Sequence, residues 1–340
     1  MSPQDKFGST PYDEEREVAN KVLRAIDLAI EDEIESLDRR ITRLEQEKLC
    51  YFAIEEFNLP ITYSWYVEGA YTRVAGDPDG AVNRITADSP NALQDPGEDD
   101  DVNKFREFFR STEFFGDYKL RDIWYTNRYE FLKDFYKAES PSDFTDLYIS
   151  STNIRQQLSE ISKSLATQNK NRSLAEFTDA DSASAITDDV EQEFRLSISD
   201  FHLELASIEK FEDLMDVLSQ STNILEHILA RLTELDSPSE SQEAVVADLN
   251  DYFYYGVWRF PALYISARTA TGPNSHHLID EHVREFESFH GEFVPRVKRM
   301  ESQAKQESLL PDAGSHSKRL KEGYSSYLHN LTKESLERDA

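Results

Sequence analysis

The densest collection of metal-binding residue types lies between His276 and Glu292 (HHLIDEHVREFESFHGE), where His276, His277, His282 and His290 are interspersed with carboxylates. Histidine and carboxylate one helical turn apart can hold zinc on a helix. Here Glu281 and Glu285 share one face, His282 lies beside Glu281 on another, and the HExxH pairing does not occur. His290 falls on the apolar seam of the same helix, so the plainer reading is a histidine buried in a helical core with a hydrogen-bond partner. Neither a metal nor any other cofactor is expected. The loop from Asp77 to Asp88 (DPDGAVNRITAD) begins like a calcium loop. Its glycine, Gly80, comes at the fourth position instead of the sixth, and the last position is Asp88 where a bidentate Glu is needed. It reads as a solvated turn, and Glu98 to Asp101 as a solvated charge run. The patterns GxSxG, GxxxxGK[ST] and GxGxxG do not occur. With 11 glycines in 340 residues, a phosphate-cradling loop is poorly supported. No catalytic residue is marked, and an enzyme dependent on a metal or a hydroxyl nucleophile ranks third among the functional classes.

Two features stand out against the background of charge. Asp and Glu number 66 against 37 Lys and Arg, a net charge of −29. Such a chain does not bind nucleic acid with its whole surface, because phosphate binding requires cations that release counterions. It is equally unsuited to anionic membranes. Yet Arg296, Lys298, Arg299, Lys305, Lys318, Arg319 and Lys321 face only Glu301, Glu307 and Asp312, and a smaller basic island runs from Asn153 to Ser173. Pairing with acidic neighbours or with a helix C-terminus accounts for such islands. The sharper reading makes Arg296, Lys298, Arg299, Lys318, Arg319 and Lys321 an anion or nucleic-acid contact. The second feature is the aromatic run Tyr252, Phe253, Tyr254, Tyr255, Trp258 and Tyr264, which covers more than one face of its helix. Core packing is its plainer use; an exposed part, with Tyr252, Tyr255, Trp258 and Tyr264 as candidates, would bind another protein.

The composition limits what carries these residues. Twenty phenylalanines and 16 tyrosines argue against disorder of the whole chain. A folded protein this acidic reads as one whose surface holds water and cations in molar salt, with arginine outnumbering lysine, in a cytoplasmic setting. Cys50 is the single cysteine, so no intrachain disulfide forms. No secretory h-region opens the sequence, and no uncharged apolar run reaches membrane-spanning length.

Periodicity predicts a mostly α protein. Residues 1–12 form a flexible leader. An N-terminal helical or winged-helix-like module spans 13–138 and contains an acidic loop at 76–101. A bundle of long antiparallel helices spans 139–340, with a polar linker near 169–184. Leu23, Ile26, Ile30, Ile34, Leu37, Ile41, Leu44 and Tyr51 advance by threes and fours, with Lys48 at one step that should be apolar, and Leu59-Pro60 stops this helix or helix pair. Ile61 to Thr72 suits a short strand and turn. Gly116 divides the aromatic helix that follows. Leu147, Ile154, Leu158, Ile161 and Leu165 mark the next helix. Four stripes follow, the last through Ile279, Val283, Phe286, His290, Phe293, Val297 and Met300. This is bundle patterning. Pro261 and Pro295 inside two stripes predict kinks. A weaker helix is expected from Ser317 to Asp339.

The stretch Gln46 to Thr72 (QEKLCYFAIEEFNLPITYSWYVEGAYT) resembles haloarchaeal proteins of uncharacterised function. It is also similar to the start of the antitoxin-associated Panacea module, in which a Lys-Leu-x-Tyr helix leads to an LPLT turn and an aromatic-Gly segment. Here these are Lys48-Leu49-Cys50-Tyr51, Leu59-Pro60-Ile61-Thr62 and the run to Gly69. Panacea continues with Gly-Pro where this chain has Gly69-Ala70. The resemblance implies a helical, partly winged-helix-like regulatory or interaction module and brings no catalytic residues. The leading expectation is therefore a non-enzymatic regulatory protein that binds another protein or a second copy of itself. A DNA-binding or antitoxin-like regulator, using the N-terminal module or the basic islands, is second.

Overall fold

The computed structural model describes residues 12–34, 39–76, 99–175, 186–209, 211, 215–235 and 237–310. The protein is mostly α. Its helices are α1 (Asp13–Glu33), α2 (Arg43–Phe57), the short α3 (Arg73–Gly76), α4 (Asp100–Ser111), α5 (Leu120–Tyr125), α6 (Arg128–Glu139), α7 (Thr145–Ala175), α8 (Asp188–Ser207), α9 (Met215–Thr233), α10 (Glu240–Tyr252), α11 (Arg259–Thr269) and α12 (Ser275–Gln306). One antiparallel hairpin, β1 (Tyr63–Tyr66) and β2 (Gly69–Thr72), follows α2. Two compact units divide the chain. The first is Met1–Pro141 with Ala262–Arg284, and the second is Ser142–Pro261 with Glu285–Ala340. The stretch 262–284 thus packs with the N-terminal elements, although its sequence pattern continues that of the bundle.

In the first unit the pattern from Asp13 to Asn58 resolves into two helices. A capping box starts α2: the Thr42 hydroxyl accepts from the Glu45 amide, and the Glu45 carboxylate accepts from the Thr42 amide. Asn58, in the left-handed conformation, ends it just before Leu59-Pro60. The hairpin turn exits through Gly69 at φ +88°, where a Cβ would sit 2.6 Å from the Tyr136 ring. Around it Tyr51, Phe52, Trp65, Phe131 and Phe135 pack edge to face and in offset stacks. Asp99, expected in the acidic loop, caps α4 with its side chain, and Asp100 and Asp101 lie in the first turn. The remainder of that loop and the leader up to residue 11 lie outside the described residues, as does the expected helix 317–339.

In the second unit Leu147, Ile154, Leu158, Ile161 and Leu165 are all buried along α7. That helix continues to Ala175, through the first part of the expected linker; residues 176–185 lie outside the described set. Thr187 caps α8, and Ser239 with Gln242 makes a capping box for α10. Trp258 is the largest side chain in the core, edge-on to Tyr148 and Phe201. Ahead of Pro261, where a kink is expected, the helix takes a π-helical turn over Phe253–Trp258, immediately before α11. Proline has no N–H to give, and its ring collides with the carbonyl four residues back. Pro295 lies inside α12.

The buried seam of α12 differs from the expected one in its first half. Leu278, His282 and Phe289 are buried, while Val283 is exposed. The seam is displaced by one residue because His282 finds polar partners inside, as described below. The His290 side chain lies outside the described residues.

Candidate functional site

The run from Tyr252 to Phe260 packs more aromatic surface than one helix face can bury, and the π turn decides which rings go where. A π turn holds more residues per turn than an α-helix, so residues three apart no longer share a face. Tyr252, Phe253, Val257 and Trp258 point into the second unit, and the Tyr252 hydroxyl donates to the Ser221 carbonyl at 3.2 Å. Tyr254 and Tyr255 turn outward. Tyr255 is 46% exposed, with Tyr254 edge-on at 4.6 Å. The Arg155 guanidinium lies 4.1 Å over Tyr254, and that of Arg296 lies 5.9 Å from the Tyr255 ring. The expected interaction face is corrected accordingly. Tyr252 and Trp258 are core residues, and Tyr264, half-buried beside Arg268, belongs to the first unit. Of the candidates, Tyr255 alone is an exposed ring of the second unit.

The basic island meets that ring. Arg296 and Arg299, one turn apart on α12, lie on one side of the helix, and Lys298 lies on another. Arg296 is half-buried; Lys298 and Arg299 are exposed. None of the three has an ion pair or hydrogen bond among the described residues. Burial, reinforced by the positive charges of Arg259 and Arg299, lowers the pKa of Arg296, against the opposing pull of Glu292 and Asp251. Neighbouring cations are satisfied by contrast: Arg259 is paired with Glu285 and lies 3.8 Å from Glu292, and Lys305 is 2.8 Å from Glu301. Lys318, Arg319 and Lys321 lie outside the described residues. In the second island Arg155 is buried, and the side chains of Lys170 and Arg172 lie outside the described set.

The histidine stretch does not assemble a metal site. No cluster of three or more His, Cys, Asp or Glu side chains suited to a metal occurs among the described residues. Glu281 is paired with Arg73 and Glu285 with Arg259, so both carboxylates of the shared face are engaged. His276 and His277 are exposed. Buried His282 has Nδ1 2.5 Å from the Ser266 hydroxyl, which is 2.5 Å from that of Ser64, and its ring stacks on Tyr66 at 4.8 Å. Serine next to histidine is also the geometry of an activated nucleophile. Both hydroxyls here are fully buried, so the chain works as internal cross-bracing between β1, α11 and α12. The calcium-like loop lies outside the described residues. No described helix is long and apolar enough to cross a membrane.

Sequence reasoning passed over two buried charges of the first unit. Glu15 lies in the first turn of α1. It is buried and accepts from the Thr62 amide (2.8 Å), the Thr62 hydroxyl (2.7 Å) and the Asn274 side-chain amide (2.7 Å). Lys48 carries the only advance signal, its place at an apolar step of α2. Fully buried, it donates to the Ala70 carbonyl at 2.7 Å and lies 5.6 Å from the Phe135 ring. Burial pushes its pKa down to about 8. Burial likewise raises Glu47 beside it and pushes the Cys50 thiol up to about 12. A lysine enclosed on every side meets no substrate; its work is to join α2 to β2.

Residues 9–336 match the model of a domain of unknown function, DUF8098. No curated protein and no solved structure matches the chain.

Proposed function

The chain belongs to the DUF8098 family, and we propose that it is a non-enzymatic interaction or regulatory protein of a salt-rich cytoplasm. It binds a protein partner, or a second copy of itself, through Tyr255, Arg296 and Arg299. The observation that carries this reading is the outward Tyr255 ring beside Arg296, a half-buried guanidinium with no carboxylate partner among the described residues. Tyrosine and arginine are the residue types that most often supply binding energy at protein interfaces. In a chain with 66 carboxylates, cations that remain unpaired are suited to an acid on another molecule. Sedimentation in molar KCl tests it. Tyr255→Ala and Arg296→Glu abolish association of the wild-type chain, and Lys298→Glu, on another side of α12, leaves it intact. A wild type that stays monomeric with every candidate partner, or association indifferent to Tyr255→Ala, overturns the reading.

The same three cations favour a second reading, contact with DNA phosphates by a transcriptional or antitoxin-like regulator. In that case affinity falls with salt at a slope near −0.9 per phosphate, and Arg299→Glu flattens it by about one unit. The first unit gives this reading little support. A recognition helix must present a face to the groove, whereas α2 is buried on both sides from Leu44 to Ile54, and Arg43, Arg73 and Arg128 are engaged by carboxylates. The salt-rich setting has its own test. With a net charge of −29, repulsion extends roughly 30 Å at 0.01 M salt, so helix content and melting temperature fall on dialysis out of molar KCl. An unchanged melting curve removes the halophilic reading and leaves the interaction surface standing.

A further inference from the structure

We infer that copies of this chain assemble head to tail, the Tyr255 face of one copy seated on the outward face of α8 of the next. This deepens the proposed interaction and rests on Tyr255, Arg296 and Arg299 being a binding face; what it adds is the occupant. The inner face of α8 buries Phe194, Ile198, Phe201 and Leu205. The outer face carries Leu196 and Leu203, 58% and 67% exposed, the two most exposed large apolar side chains among the described residues. Seven residues apart, they lie on one stripe, about 10 Å from each other along the axis, with the small Ser199 between them. That spacing leaves room for one aromatic ring. Glu193, Asp200 and Glu204 run along one edge of the stripe, and uncharged Gln192 and Ala206 lie along the other. Asp146 of α7 lies close to Glu204, and none of these four acids has an ion pair among the described residues. The stripe therefore asks for an aromatic or apolar group with cations to one side of it.

The Tyr255 face offers that combination. The Gly256 backbone lies against α12, with Arg296 Cδ 3.5 Å from where a Cβ would stand, so the arginine stem is packed and its head stands beside the exposed Tyr255 ring. Glu292 and Asp251 pull on Arg296, but it pairs with neither, and Glu292 also lies 3.8 Å from Arg259. Arg296 and Arg299 are three residues apart, about 4.5 Å along α12, and Asp200 and Glu204 are four apart, about 6 Å along α8. Two guanidiniums can thus meet two carboxylates while the ring enters between the leucines. Each face is unsuited to its own equivalent. Pairing α8 with α8 sets Glu193, Asp200 and Glu204 against their copies, and pairing Tyr255 with Tyr255 sets Arg296 and Arg299 against theirs. A contact between unlike faces, the heterologous kind, avoids both. Both faces belong to the second unit, so a single copy carries the two halves of the contact. Salt decides whether copies can approach. At a net charge of −29 they repel over roughly 30 Å in 0.01 M salt, whereas at 1 M the screening length is about 3 Å and charges in contact act alone.

Complementation between two variants of the full-length chain, followed by sedimentation in molar KCl, tests this. Tyr255→Ala with Arg296→Glu removes one face, and Leu203→Asp removes the other. All of these positions lie outside the core, so far-ultraviolet dichroism should match the wild type in both variants. Each variant alone should be monomeric where the wild type associates. Mixed in equal amounts they should form a one-to-one pair that grows no further, because one intact face of each kind remains. Glu204→Arg should weaken association of the otherwise wild-type chain about tenfold or more, and adding Arg299→Glu to the same chain should recover most of that loss, which a merely disruptive substitution does not do. Leu203→Asp that associates like the wild type overturns the inference and leaves the Tyr255 face standing with another occupant. Variants that fail to pair on mixing, although the wild type associates, overturn it in favour of a contact between like faces. A wild type that stays monomeric in molar KCl overturns it too, while Tyr255-dependent capture of a different protein would still uphold the binding face itself.

Discussion

In the first unit, several arginines meet carboxylates. Arg39 is 2.7 Å from Glu45, Arg43 2.8 Å from Glu47 and Arg106 2.6 Å from Asp32, and Arg73 and Arg128 are paired with Glu281 and Glu68. The same unit encloses Glu15 and Lys48 and gives each a backbone partner. On α12 of the second unit, Arg296, Lys298 and Arg299 have no such partner among the described residues, and Tyr255 stands beside Arg296 with its ring exposed. Charges that are spoken for hold a structure together; charges that are not are available to another molecule. The first unit therefore reads as braced scaffold, and the face around the π turn carries the cations and the ring on which the proposed interaction rests.

The largest effect that separates these roles lies within one aromatic run. Trp258→Ala removes a ring packed on Tyr148 and Phe201 and should cost about 3–5 kcal/mol in denaturant unfolding. Tyr255→Ala, three residues earlier, should stay within about 0.5 kcal/mol. Similar losses for both would erase the distinction between core and surface drawn here.

The bracing carboxylate comes next. Glu15→Ala leaves the Thr62 amide, the Thr62 hydroxyl and the Asn274 amide without their acceptor, a loss of about 3 kcal/mol. Glu15→Gln keeps one acceptor oxygen and should recover part of it. A neutral Glu15→Ala would mean that the clamp contributes little to the first unit.

Lys48 ties stability to pH in a stated direction. Its pKa is about 8 in the folded chain against an ordinary 10.5, so the unfolded chain holds the proton more tightly. Between about pH 8 and pH 10 the unfolded state binds more protons, and stability must rise with pH. The penalty is complete below pH 8 and fades above it. Measured against Lys48→Met, the parent should gain on the order of 1–2 kcal/mol over this window, below the range in which buried tyrosines begin to lose protons. A pH-independent difference would show that the amine is not desolvated. The smallest contrast compares a paired with an unpaired arginine. Arg128→Ala exposes Glu68 without its partner and should cost about 0.5–1 kcal/mol, whereas Arg299→Ala should be silent in the same unfolding assay.

Much of this molecule is legible from neighbours in sequence. The three–four steps through Leu147, Ile154, Leu158, Ile161 and Leu165 mark a helix and its buried face, because period 3.6 is a property of the local backbone. The stop at Leu59-Pro60 and the strand and turn within Ile61 to Thr72 rest on equally local chemistry. Lys48 was visible as an irregularity, and the cationic stretch on α12 as an excess of one charge. What the pattern does not hold is which residues face one another across the chain. Ser64 meets Ser266 across 202 positions, and Asn274 meets Glu15 across 259. Gly272, at φ +103°, is needed because a Cβ there would lie 2.7 Å from the Thr62 backbone, a constraint imposed by a segment far away in sequence. The outward turn of Tyr255 and the burial of Trp258 were settled in the same way. One residue of helical phase, displaced by a π turn ahead of Pro261, reverses the expected face. Periodicity is carried by covalent neighbours and is written in composition. The phase of an aromatic run, and the partner of a buried charge, depend on which packing of distant segments leaves the fewest polar groups unpaired, and that is decided only when the chain closes on itself.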